Sequence, residues 1–122
     1  MSERVLLIED EEMVRTLVRA ILEAKGYEVM EARTPNEALR LGSDGTPVDI
    51  LLTDVVMPEM NGPQIAAQLA AAHPGLKVLY MSGYTDDAVV RHGVAEGTTA
   101  FLQKPFNAGA LTAKLREVLD GA

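Results

Sequence analysis

The sequence predicts an α/β domain in which five strands and five helices alternate and wind doubly around a parallel sheet. Three observations carry this. Short apolar runs recur through the 122 residues at Val5–Ile8, Tyr27–Ala32, Val48–Thr53, Leu76–Met81 and Ala100–Gln103. Each is followed by a stretch with helical periodicity or helix-capping residues, joined by short connections, which implies right-handed crossovers between parallel strands. The runs at Val5–Ile8 and Val48–Thr53 are nearly continuous rather than alternating, as in strands buried on both faces.

Taken in order, Val5–Ile8 is the first strand. Helix one follows, with Met13, Val14, Leu17, Val18, Ile21 and Leu22 on its apolar face and Gly26 just past its end. Tyr27–Ala32 alternates in polarity, which places the second strand nearer a sheet edge. Thr34-Pro35-Asn36-Glu37 is a capping box with Pro at the first helical position, opening helix two through Leu41. Gly42–Pro47 is a turn, and Val48–Thr53, the most apolar run, is the central strand. Gly62-Pro63 starts an Ala-rich third helix that stops at His73-Pro74-Gly75, and Leu76–Met81 is strand four. Thr85-Asp86-Asp87 caps a fourth helix of weak apolar periodicity. Ala100–Gln103 is strand five, and Asn107 caps a fifth helix whose apolar face is Leu111, Leu115, Val118 and Leu119. His73 and His92 read as solvated surface residues, and the six Met residues mostly as core filler.

Composition bounds the function. One domain spanning residues 1–122 is long enough to bury a good core. A net charge of −7 and the lack of a basic stripe argue against direct contact with nucleic acid. The absence of Cys removes disulfides, thiolate-bound zinc and thiol chemistry, and fits a cytoplasmic protein. No apolar run approaches the ~20 residues needed to span a bilayer, and the chain enters its first strand at once, so neither membrane contact nor a signal peptide is expected.

The chemistry gathers where strands end. Glu9-Asp10 follows the first strand, Asp54 the third, Ser82 the fourth and Lys104-Pro105 the fifth. Parallel strands share one carboxyl edge, the edge at which open α/β sheets build their sites. Acids at a helix start are also favoured by its dipole, which accounts for Glu11 and Glu12 better than for Glu9 and Asp10. Asp54 is harder to dismiss, because a carboxylate ending an apolar central strand costs desolvation energy unless something compensates it. Carboxylates from two strand ends make a hard-oxygen site for Mg²⁺. Asp54 would serve as both ligand and nucleophile. Ser82 before Gly83 could be a turn residue, and Lys104 before Pro105 a solvated one. In this order, however, both could contact a phosphoryl group on Asp54.

These segments resemble the receiver domain of bacterial two-component response regulators over essentially the whole chain. The resemblance is carried by Val5-Leu6-Leu7-Ile8-Glu9-Asp10-Glu11, Leu52-Thr53-Asp54-Val55-Val56-Met57-Pro58-Glu59-Met60-Asn61-Gly62, Met81-Ser82-Gly83-Tyr84 and Phe101-Leu102-Gln103-Lys104-Pro105-Phe106. It implies a flavodoxin-like sheet of order 2-1-3-4-5 and a phosphorelay role. Asp54 is then the phosphoacceptor, loaded from a histidine kinase or histidine phosphotransfer protein. Asp10, Asp54 and the main-chain carbonyl of Val56 hold Mg²⁺, with Mn²⁺ as a substitute, and Glu9 binds through water. Ser82 and Lys104 contact the phosphoryl group. Ser82 and Phe101 form the switch that alters the surface of helix four, strand five and helix five, which is also the surface for a homodimer. The Lys104–Pro105 bond is expected to be cis. Glu9 stands for the commoner Asp, Ser82 for Thr and Phe101 for Tyr, so the switch would rest on packing rather than a phenolic hydrogen bond. The third and fourth segments look most like receivers attached to hybrid histidine kinases. Two settings are therefore expected: a stand-alone regulator, with no enzyme activity beyond its own phosphorylation and dephosphorylation, or part of such a kinase.

Three other classes compete. An Mg²⁺-dependent aspartyl-phosphate phosphohydrolase would want a second acid two residues after the nucleophile, where this chain has Val56, and a cap insertion. A non-phosphorylated pseudo-receiver acting as a binding module should lack a pocket residue, and none is missing. A flavin binder would need a phosphate-cradling loop after strand one, where four acids stand instead.

Overall fold

A computed structural model of the chain describes residues 3–43, 45–54, 62–82, 100–103 and 106–121. The elements are β1 (Arg4–Ile8), α1 (Glu12–Ala24), β2 (Glu28–Ala32), α2 (Pro35–Gly42), β3 (Ile50–Asp54), α3 (Gly62–Ala72), β4 (Lys77–Ser82), β5 (Ala100–Gln103) and α4 (Ala108–Leu119). The last is the fifth helix of the sequence reading. The helix expected after Thr85 lies outside the described residues.

All strand pairs are parallel, and the sheet order is β2-β1-β3-β4-β5, so β2 is an edge and β3 the centre, as the polarity of the two runs predicts. The pleat sends alternate residues to opposite faces. Val5 and Leu7 of β1, Ile50 and Leu52 of β3, and Leu79 and Met81 of β4 pack against Val18 and Leu22 of α1 and Leu111 and Leu115 of α4. On the other face Leu6, Ile8, Leu51 and Tyr80 meet Ala38 of α2 and Ile65, Ala66 and Leu69 of α3. Both faces of β1 and β3 are therefore covered, which is why their sequences do not alternate.

The caps form largely as read. Thr34 Oγ1 accepts from Glu37 N at 3.2 Å, while the Glu37 carboxylate reaches one residue further back than a capping box requires, to Arg33 N at 2.7 Å. Asn107 Oδ1 accepts from Ala110 N at 2.7 Å. Gly26 ends α1 in the left-handed region at φ 94°, its N–H bonded to Glu23 O.

Two expectations need correction. Helix one turns only part of its expected face inward, Val14, Val18, Ile21 and Leu22. Met13 is 83% and Leu17 58% exposed, while Arg15 is 7% exposed. At about 100° per residue the six apolar positions of α1 cover half its circumference. The sheet takes the part centred on Val18, with Arg15 at one margin, and leaves Met13 and Leu17 beyond the other. Met13 is accordingly no core filler, although Met81 is fully buried. His73 is likewise not a freely solvated residue. It is half-buried, and its Nε2–H donates to Gly42 O at 2.6 Å, fastening the end of α3 to the end of α2. His92 lies outside the described residues.

Candidate functional site

The carboxyl edge of the sheet brings three acids together. β1 pairs with β3 through Ile8 opposite Thr53, so Glu9 leaves β1 beside Asp54, the last residue of β3. Glu9 continues the Val5–Leu7 row and Asp54 the Ile50–Leu52 row. Glu9, Asp10 and Asp54 each offer a carboxylate oxygen, all within 4.8 Å of one another. Glu9 is 1% exposed and Asp54 7%, while Asp10 faces solvent.

Each polar group of Glu9 is engaged. Its N–H donates to Ala32 O at 3.2 Å, extending the β1–β2 ladder by one rung. Its Oε2 accepts from Glu11 N at 3.1 Å, so the carboxylate also caps the entry to α1. Its carbonyl accepts from Arg15 Nη1 at 2.8 Å in a buried hydrogen bond. At the neighbouring strand end Thr53 Oγ1–H donates to Asp54 O at 3.1 Å.

Arg15 is the buried residue beside the acids that the sequence reading did not single out. Besides holding the Glu9 carbonyl, its Nε lies 3.4 Å from Glu31 Oε1 on edge strand β2. Arg19 also pairs with Glu31, and with Glu23 at 3.1 Å, so two guanidiniums and two carboxylates balance. Glu23 first, then Glu31, hold the Arg19 proton more tightly than usual. A signal was available: Arg15 stands three residues before Val18 and seven before Leu22, on the row that faces the sheet.

The remaining expected residues are placed in part. Ser82 ends β4, one residue beyond Met81, which is the register partner of Asp54. Phe101 lies in β5 opposite Tyr80, and Gln103, the last residue of β5, pairs with Ser82. Val56, Lys104 and Pro105 lie outside the described residues, the expected cis bond with them.

Two buried carboxylates beside a third need a compensating cation or strong donors. Hard oxygens from two strand ends suit Mg²⁺, which characteristically takes one or two carboxylates and keeps waters. The residues present fit that ion. A groove at the opposite edge, lined by Glu3, Lys25, Gly26, Tyr27, Thr112, Ala113 and Arg116, offers no comparable chemistry. Its Arg116 is already paired with Glu3 at 2.8 Å and Asp120 at 2.9 Å, and the bond to Glu3 holds that carboxyl below its usual range.

An acidic cluster at the carboxyl edge of a 2-1-3-4-5 sheet defines a class, and comparison with known proteins gives the same one. The model of the response regulator receiver domain matches residues 5–116, and the chain belongs to that family, the phosphoacceptor domains of two-component systems. Among curated relatives, the sensor kinase CckA of Brucella abortus is 42% identical over 120 residues, 98% of this chain. This chain spans only 13% of that kinase's length. The response regulator receiver protein CpdR of the same organism is 32% identical over 121 residues, covering 98% of this chain and 99% of CpdR. The solved receiver domain from the hybrid histidine kinase CckA superposes with a TM-score of 0.79 at 33% identity, over 95% of this chain and 98% of that one. No helix among the described residues is long and apolar enough to cross a membrane.

Proposed function

We propose that residues 1–122 form one receiver domain that accepts a phosphoryl group on Asp54 from the phospho-histidine of a kinase or phosphotransfer protein, with Mg²⁺ bound. The observation that carries this is the meeting of Glu9, Asp10 and Asp54 within 4.8 Å at the end of the central strand. One Asp54 oxygen attacks phosphorus, a P–O bond forms as the P–N bond breaks, and the imidazole leaves and takes up a proton. Asp10, Asp54 and the Val56 carbonyl would hold Mg²⁺, or Mn²⁺ in its place, with Glu9 acting through water. The ion, when bound, supplies the positive charge that lets an anionic nucleophile approach an anionic phosphoryl group.

Ser82 would give the phosphoryl group a hydrogen bond and Lys104 a point charge. Ser82 moving toward the phosphoryl oxygens, with Phe101 turning inward, would pass the signal to the surface around β5 and α4, the surface on which a homodimer would form. The 42% identity to the receiver segment of a sensor kinase favours a place in a hybrid kinase, while the match to full-length CpdR supports a stand-alone regulator. Either setting is cytoplasmic.

The test is incubation with a small acyl phosphate and Mg²⁺, followed by mass spectrometry. One phosphoryl addition on Asp54, lost in Asp54→Asn and with chelator, is the expected result. Labelling that persists in Asp54→Asn overturns the assignment. Sustained turnover of phosphomonoesters would favour the phosphohydrolase, and no labelling at all the pseudo-receiver.

A further inference from the structure

We infer that Arg15 is a positioning residue for the cation site, acting through the peptide unit that joins Glu9 to Asp10. The inference rests on the proposed role of those acids in holding Mg²⁺. The carbonyl oxygen of that peptide unit is Glu9 O, and Arg15 Nη1 holds it at 2.8 Å from below the edge of the sheet. A peptide unit is planar, so fixing its oxygen also fixes the direction in which Asp10 leaves the strand. Asp10 is the exposed member of the three acids and the one beyond the β1–β2 ladder, so its placement depends most on such a tie.

The surroundings of Arg15 separate geometry from charge. Its guanidinium faces Glu31 at 3.4 Å, and Glu31 is shared with Arg19. With its charge balanced there, Arg15 adds little net field at the acids, and its main contribution is direction. Glu31 lies on β2 beside Leu7 of β1, one residue before the rung on which Ala32 O receives Glu9 N–H. Edge strand, helix and acid pair are thus tied at one corner. A buried guanidinium with two partners could serve stability alone. That simpler role makes a different prediction: Arg15 variants would lose melting temperature and keep their affinity for the ion.

The experiment is calorimetric titration of MgCl₂ into the wild type, Arg15→Met and Arg15→Lys, with circular dichroism to establish folding. The metal-free ¹³C shift of the Glu9 carbonyl is measured in each. Met keeps the apolar stem and loses both polar contacts, and its Mg²⁺ affinity should fall about tenfold, at the lower end for partners of metal ligands. Lys can balance Glu31 but is a single point donor, so its affinity should lie between the other two, with the carbonyl shift displaced in both variants. If Arg15→Met does not fold, Arg15→Lys decides the question by the same two measurements. Affinity equal to wild type in the folded variants overturns this inference alone. Failure of the wild type itself to bind Mg²⁺ would overturn the cation reading and this inference with it.

Discussion

Mg²⁺ should stabilise the folded chain by an amount that the geometry of the acids allows to be worked through. The perturbation is titration of MgCl₂ into metal-free protein, for the wild type and for Asp10→Asn. The three carboxylate oxygens lie within 4.8 Å of one another. At an effective dielectric of about 20, two unit charges at that distance repel by about 3.5 kcal/mol, and solvent at the exposed Asp10 reduces its share. The unfolded chain separates Glu9 and Asp10 from Asp54 by more than forty residues of sequence and offers no comparable site. Binding to the folded state alone then adds ~2.7 kcal/mol when the free ion is a hundred times its Kd, and ~1.4 kcal/mol for each further tenfold. For a domain of this size 1 kcal/mol moves Tm by roughly 3–5 °C, so the first figure corresponds to about 8–13 °C. Calorimetric melts at increasing MgCl₂, with NaCl at matched ionic strength as the control, measure it. Asp10→Asn should lose most of the rise. A rise that NaCl reproduces, or that persists unchanged in Asp10→Asn, would show the acids acting only as helix-capping charges.

Two further outcomes follow from the packing. Tyr80 is almost wholly buried, and desolvation raises its pKa above the ordinary value. The folded state therefore binds more protons than the unfolded state above about pH 10, so this contribution to stability is present below that pH and declines as pH rises through the folded value. Tyr80→Phe should flatten the alkaline arm of a Tm–pH profile, and an unchanged arm would assign the loss to other groups. At Gly42 an added Cβ would overlap Leu69 Cδ2 inside the α2–α3 contact. Gly42→Ala gains ~1 kcal/mol of helix propensity but overpacks a buried seam at a cost of ~1–3 kcal/mol. Urea unfolding should give a net loss, and a more stable variant would show that Leu69 can step aside.

The five strands were legible in the sequence because burial on both faces leaves an unmistakable run of apolar residues, and Ala100–Gln103 was placed to the residue. The acids were legible for the opposite reason: Asp54 interrupts such a run at its end, where a charge is costly without a purpose. Helix polarity was less so. The six apolar positions of α1 are more than a helix needs to cover a sheet, and local periodicity cannot say which part of an over-wide stripe the sheet will take.

By itself, then, the sequence determined the strand and helix alternation, the central place of Val48–Thr53 and the carboxylates at two strand ends. These depend on local pattern and on the desolvation cost of charge, which each residue carries with it. Only the tertiary structure decided that Glu9 and Asp54 stand side by side, because the pairing of Ile8 with Thr53 joins residues 45 apart in sequence. It alone turned Met13 and Leu17 outward and drew Arg15 under the acid pair, where Glu31 of a different strand compensates the burial of a guanidinium. Register and ion pairing across elements are properties of contacts, and a contact belongs to two distant residues at once.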